Sequence, residues 1–161
     1  MNRYATVVAI FVISALGALI GAAEESDASR LVGTWRLVEY TDFRSGKTIH
    51  AFGAEPLGLF IYTPSGHVSI HIMHNPPPKH FDDLEMTSDQ QDLLDMRSYA
   101  GYFGTYRVDS KRSVLIHHVE AGTLLGYIGT AQERPYRIEG DKLILGDDST
   151  WRRVLVRVSG K

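Results

Sequence analysis

The chain has 161 residues, no cysteine, and 17 lysines and arginines against 19 aspartates and glutamates, a formal net charge of −2. One domain is expected at this length, large enough to bury a core without covalent staples. The missing cysteines exclude disulfides, thiol catalysis and a cysteine-linked lipid anchor. With no Lys/Arg cluster longer than Arg152-Arg153, the mildly acidic surface offers nothing to attract nucleic acid.

Met1 to Tyr4 carry one cation, Arg3, and an uninterrupted apolar run follows from Ala5 to Ile20. Gly21 and Ala23 are small residues at the spacing a signal peptidase accepts, and the chain then turns abruptly acidic at Glu24-Glu25-Ser26-Asp27. This order predicts a signal peptide over 1–23, cleaved after Ala23, and a secreted or periplasmic product with no stable membrane insertion once the leader is removed. The alternative is an uncleaved anchor, since the run approaches the roughly 20 residues that span a bilayer. Residues 24–30 read as an acidic lead and 31–158 as the domain.

Within that domain, short apolar or alternating runs separated by turn residues predict eight strands, at about 33–43, 57–63, 66–74, 102–109, 113–120, 128–138, 142–146 and 150–158. Pro64-Ser65-Gly66, Asp109 to Arg112 and Glu139-Gly140-Asp141 are tight connections, so sequential strands are antiparallel neighbours. The fold class is therefore all-β, a single up-and-down antiparallel barrel of eight strands. Closure leaves no exposed edge, and a barrel of this size has room for side chains plus one small ligand. One short helix near residues 88–100 interrupts the meander, with Ser88 as its cap and Gln91 completing a capping box. It follows the stiff Pro76 to Pro78 turn and would cross one mouth of the barrel, as a lid or as a plug.

Period-two alternation assigns faces. In the fourth predicted strand Tyr102, Gly104, Tyr106 and Val108 share one side, and the wetter set Phe103, Thr105, Arg107 and Asp109 the other, which turns Tyr102 and Tyr106 inward. In the fifth, Val114, Ile116, His118 and Glu120 alternate with Leu115, His117, Val119 and Ala121, and periodicity does not decide between them. A gradient from an apolar base to a polar mouth favours His118 and Glu120 inward, with His117 as the alternative. The sixth strand shows the same gradient reversed, placing Gln132, Arg134, Tyr136 and Ile138 on one face. The candidate ligand-binding residues are thus Tyr102, Tyr106, His118, Glu120, Gln132 and Arg134. Arg134 and His118 would orient a carbonyl or carboxylate while the tyrosines stack on its body. An Arg134–Glu120 ion pair beside a hydrogen-bonded histidine is the purely structural alternative.

Seven histidines raise the question of metal. His67 and His71 share a face but stand about 13 Å apart on an extended strand, too far for one ion with ligands at about 2.1 Å. His71 and His74 point to opposite faces, as do His117 and His118, so no metal site is expected. There is no Gly-x-Ser-x-Gly elbow for Ser-His-Asp hydrolysis and no phosphate-binding glycine loop, and no cofactor is expected.

The first strand holds Gly33-Thr34-Trp35, the Gly-x-Trp signature of lipocalins. It stands in a longer set that includes Leu31 to Val38, Gly58 to His71, Tyr102 to Tyr106, His117 to Glu120, Gly129 to Arg134 and Gly140 to Leu143. In order and spacing this set resembles the lipocalin-like domain family found in bacteria and fungi, over nearly all of residues 30–147. It departs from the family where a Pro-Asn-Trp-type segment is common, here Leu124-Leu125-Gly126-Tyr127. The resemblance implies a calycin-type barrel with an internal pocket. It also implies that an arginine of the last strand, Arg152 or Arg153, stacks over Trp35 beside Gly33 and closes the barrel bottom. The expected function is an exported carrier of a small apolar or amphipathic molecule with one polar head. The alternatives are a cofactor-independent isomerase or cyclase using the same cavity, with His118 or Glu120 as acid or base, and an interaction protein with a solid core.

Overall fold

The computed structural model describes residues 26–77 and 87–159; the apolar run and Ala23 lie outside them. Nine strands follow the chain as β1 (Gly33–Arg44), β2 (Lys47–Ile49), β3 (Leu57–Tyr62), β4 (His67–Met73), β5 (Tyr99–Asp109), β6 (Val114–Gly122), β7 (Ala131–Glu139), β8 (Lys142–Gly146) and β9 (Trp151–Arg157). Two helices, α1 (Asp27–Leu31) and α2 (Ser88–Ser98), precede β1 and β5. All pairings are antiparallel, and β1 pairs with both β3 and β9, so eight strands close into the expected up-and-down barrel. The ninth, β2, pairs with β1 alone. It is a three-residue hairpin arm behind Ser45 and Gly46, both in the left-handed region, and too short to leave an alternation signal.

Two register shifts decide which side chains face the lumen. In β1 the pairing with β9 skips a residue between Leu37 and Glu39. Trp35 and Leu37 point inward before the skip, and Tyr40, Asp42 and Arg44 line the interior after it. A bulge restores the inward face in this way when one residue is left unpaired. A second shift between Phe103 and Gly104 of β5 leaves Glu120 of β6 unpaired.

The floor is built from α1 and the ends of β1 and β9. Leu31, Trp35, Leu37, Leu115, Leu143 and Leu155 are all buried there. Residues 27–30, the end of the stretch read from sequence as an acidic lead, form with Leu31 a capped turn of helix. Ser26 accepts from the Ser29 N–H, and the Tyr136 hydroxyl donates to the Asp27 carboxylate at 2.7 Å. The Trp35 indole N–H donates to the Leu31 carbonyl at 2.8 Å.

The closing arginine is Arg157, not Arg152 or Arg153. Its guanidinium carbon lies 4.1 Å from the centre of the Trp35 ring, and it donates to the Val32 carbonyl at 2.9 Å and to that of Arg30. Trp35 stands directly opposite Arg157 in the β1–β9 ladder, and directly opposed residues share a face. Gly33 makes room for this, because a Cβ there would sit 2.9 Å from the Arg157 guanidinium. Arg152 and Arg153 begin β9 and therefore reach the other end of the barrel. Arg152 pairs with Glu39 at 2.7 Å.

Helix α2 is capped one residue earlier than expected. Thr87, not Ser88, accepts from the Gln90 backbone, and the Gln90 side chain, not that of Gln91, accepts from the Thr87 N–H at 3.0 Å. The run Thr87-Ser88-Asp89-Gln90-Gln91 holds two overlapping capping boxes, and the outer one forms. The helix ends at Ser98, and β5 begins at once with Tyr99. Leu93 and Met96 are exposed, and no residue of α2 with a described side chain lines the interior.

Candidate functional site

The interior holds a cavity of about 360 Å³, open to solvent, above the packed floor. Phe60, Ile70, Ile72 and Leu145 form its aliphatic and aromatic wall, with Tyr40, Tyr102 and Trp151 around them. Covering elements are loops: Phe52 comes from the β2–β3 connection and stacks edge-on against Tyr40 at 4.7 Å, while Leu124 and Tyr127 come from the single turn of helix at Leu125–Tyr127. The segment that departs from the family pattern thus forms part of the wall. Phe52 is tied to the segment after β4, its carbonyl accepting from the Asn75 N–H at 3.0 Å. The neighbouring Gly53 is left-handed, with no space for a Cβ beside the Asn75 carbonyl.

Three arginines and one aspartate line this cavity. Arg153 is stacked on Tyr40 and paired with Asp42 at 2.8 Å, and Arg44 reaches Asp42 from the exposed side at 3.3 Å. Arg134 differs. Its guanidinium lies 5.4 Å from the Tyr127 ring centre and 5.6 Å from that of Trp151, within cation–π range of both. Its hydrogen bonds go to the Glu133 carbonyl at 3.1 Å and the Gln132 side chain at 3.4 Å. Among the described residues no carboxylate lies within ion-pair distance of it. Gln132 is half-buried beside it and donates to Thr130 at 2.6 Å.

The expected lumen residues divide as follows. Tyr102, Gln132 and Arg134 face inward, and Tyr102 and Arg134 line the cavity. Tyr106 also points inward, but below the cavity, where its hydroxyl donates to the Thr63 carbonyl at 2.9 Å and its ring meets Tyr62 edge-on. His118 and Glu120 face outward and are exposed, which removes them from the lumen and removes the Arg134–Glu120 pair. His117 takes the inward place, fully buried between Leu115 and Val119. Val114 and Ile116 are also buried on the opposite face, so β6 is apolar on both sides and its alternation carried no information. Pairing could have supplied it: His117 stands opposite Gln132 in the β6–β7 ladder, so the two share a face.

His117 joins two tyrosines. Its Nδ1 lies 2.7 Å from the Tyr102 hydroxyl and its Nε2 3.2 Å from that of Tyr62. Burial drives the imidazole pKa down to about 3, and the nearby Arg134 charge pushes the same way. Burial raises the Tyr62 phenol well above its ordinary range. It pushes Tyr102 up to about 12, partly countered by the nearby Arg134 charge. All three groups are neutral at ordinary pH, and Arg134 is the cation beside them.

This has a consequence in acid. An unfolded histidine binds its proton near pH 6.5, whereas folded His117 does not until about pH 3. The unfolded state therefore holds the extra proton between these values, and stability is lost as pH falls through that window, by up to about 1.4 kcal/mol per pH unit. Urea titrations should show the wild type losing more stability between pH 6.5 and pH 4 than His117→Phe does. Parallel losses in the two proteins would mean that His117 is protonated in the fold.

The outer-face histidines make local bonds: His67 with Ser65 at 3.1 Å, and His71 with Ser69 at 2.9 Å and with Tyr99. Among the described residues no three potential ligands converge on a metal position. A family model described as a lipocalin-like domain matches residues 32–154. No curated protein matches the chain.

Proposed function

Because the chain belongs to the lipocalin-like domain family, whose barrel binds small molecules in general, we propose that it is an exported carrier of a small, largely apolar molecule with one polar head. The observation that carries this reading is the open cavity of about 360 Å³ with aromatic and aliphatic residues in its wall, lined also by Thr150, Asp42 and three arginines, of which Arg153 and Arg44 pair with Asp42 while Arg134 has no carboxylate within ion-pair distance among the described residues. Cavities of this size and lining take small ligands, with a few polar groups fixing orientation. Arg134 is partly buried, a cation in such a place gains from a counter-charge, and a ligand head group supplies it. Phe60, Ile70, Ile72 and Leu145 offer apolar contact to the body of the ligand. The enzyme alternative relied on His118 or Glu120 inside the lumen, and both point to solvent. The solid-core alternative requires a filled interior.

Decanoic acid is a suitable first probe by titration calorimetry, with native mass spectrometry of protein purified from its own host to look for a retained ligand. Ala100→Trp places an indole in the cavity wall and should abolish decanoate binding while the far-ultraviolet circular dichroism is kept. Binding that survives this substitution would lie outside the barrel and would sink the carrier reading. Export is supported by the apolar run and Ala23: the intact mass of exported protein should begin at Glu24, and a full-length, membrane-retained chain would contradict it.

A further inference from the structure

We propose that the polar head is an oxyanion, a carboxylate being the simplest, held jointly by the Arg134 guanidinium and the Tyr102 O–H, with Tyr62 and His117 fixing the direction in which that hydroxyl donates. The inference rests on the carrier reading and names the chemistry of its ligand.

The direction follows from counting donors and acceptors in the buried chain Tyr62–His117–Tyr102. A neutral imidazole donates from one ring nitrogen and accepts at the other. Tyr62 is fully buried, and among the described residues its hydroxyl has a single partner, the His117 Nε2 at 3.2 Å. If Nε2 carried the proton, Tyr62 would accept, and its own hydrogen would be buried without an acceptor, a cost that native interiors avoid. Tyr62 therefore donates to Nε2, and the proton of the ring sits on Nδ1. Nδ1–H in turn donates to the Tyr102 oxygen at 2.7 Å. With that lone pair taken by the ring, the Tyr102 hydroxyl does not donate to His117. Its hydrogen remains, on a residue that lines the cavity.

The Arg134 guanidinium and the Tyr102 hydroxyl thus both present donors to the cavity they line, and the one carboxylate in that lining, Asp42, is already held by Arg153 and Arg44. A group that only accepts, and that carries negative charge, satisfies both. An ammonium head would meet a cation and a hydroxyl already engaged as acceptor, and an alcohol or ester would satisfy the hydroxyl without answering the charge. Tyr62 and His117 touch no ligand in this scheme; they are positioning residues.

Two measurements test the scheme. Long-range nitrogen–proton correlation spectra of the ligand-free wild-type protein report the His117 tautomer directly: a proton on Nδ1 is expected, and one on Nε2 overturns the donor order. Calorimetry then compares decanoate, methyl decanoate, decanol and decylamine on wild type and Tyr102→Phe. Decanoate should bind wild type most tightly and decylamine least. Tyr102→Phe should cost decanoate roughly 10- to 100-fold, the scale of a hydrogen bond to a charged acceptor, and decanol less than about tenfold. Equal binding of decanoate, methyl decanoate and decanol to wild type would overturn the oxyanion and leave the carrier reading standing, whereas no binding by any of them would remove both. Should Tyr102→Phe fail to fold, the wild-type tautomer and the wild-type ranking of the four probes still decide.

Discussion

Trp35→Ala is expected to be the most destabilising single substitution in the barrel floor, lowering the unfolding free energy by about 3–5 kcal/mol. The side chain is fully buried, and three contacts depend on it: the indole donates to the Leu31 carbonyl, its face carries the Arg157 guanidinium, and Leu31 packs in the same core cluster. Removing it leaves a cavity and loosens the attachment of α1 together with the β1–β9 closure. Against a typical total of about 5–15 kcal/mol, the loss should lower the melting temperature by roughly 10–20 °C. Thermal and urea unfolding followed by circular dichroism would measure it. The companion substitutions separate Arg157 from the tandem arginines. Arg157→Met should cost about 1–3 kcal/mol, because it strands the Val32 and Arg30 carbonyls as well as losing the ring contact. Arg152→Met, removing a half-exposed pair with Glu39, should cost about 1 kcal/mol or less. The reverse ranking would show that the barrel is closed at Arg152 and not at Arg157.

The second large effect is on ligand binding. Arg134→Leu should weaken decanoate by about 1.5–3 kcal/mol, roughly 10- to 150-fold, while methyl decanoate changes little. The reason is that this guanidinium answers to rings and neutral oxygens, not to a carboxylate. Its removal takes away the charge a head group would meet without exposing a partner anion. Leucine keeps an apolar contact with Tyr127 and Trp151, so the fold should survive. Equal losses for acid and ester would show that Arg134 shapes the wall and does not read the head. Arg153→Leu is the control with the opposite expectation: it takes from the largely buried Asp42 its closer partner, leaving only Arg44 at 3.3 Å, and removes the stack on Tyr40, so it should destabilise the protein and weaken acid and ester alike.

Most of the architecture follows from local signals. Short alternating runs, tight Gly-, Pro- and Asp-containing turns and the absence of a long helical period determine an antiparallel meander, and eight strands of this length close because closure removes the edges. The inward placement of Tyr102, Gln132 and Arg134 is equally local, since β5 and β7 each have one wetter face. Gly33 and Trp35 were legible through the family resemblance they share with the rest of the chain. Three features were decided only by tertiary structure. His117 rather than His118 enters the lumen because β6 is buried on both faces, which erases its period, and only its pairing with β7 sets the side. Arg157 rather than Arg152 or Arg153 closes the floor because an antiparallel ladder sets the start of β1 against the end of β9, a long-range register that no local pattern contains. The counter-charge of Arg134 was sought in Glu120, which shares the outward face of β6 with His118 once His117 takes the lumen. Sequence determined that this barrel carries a cation inside; whether that cation is already neutralised depended on the register of strands far apart in the chain.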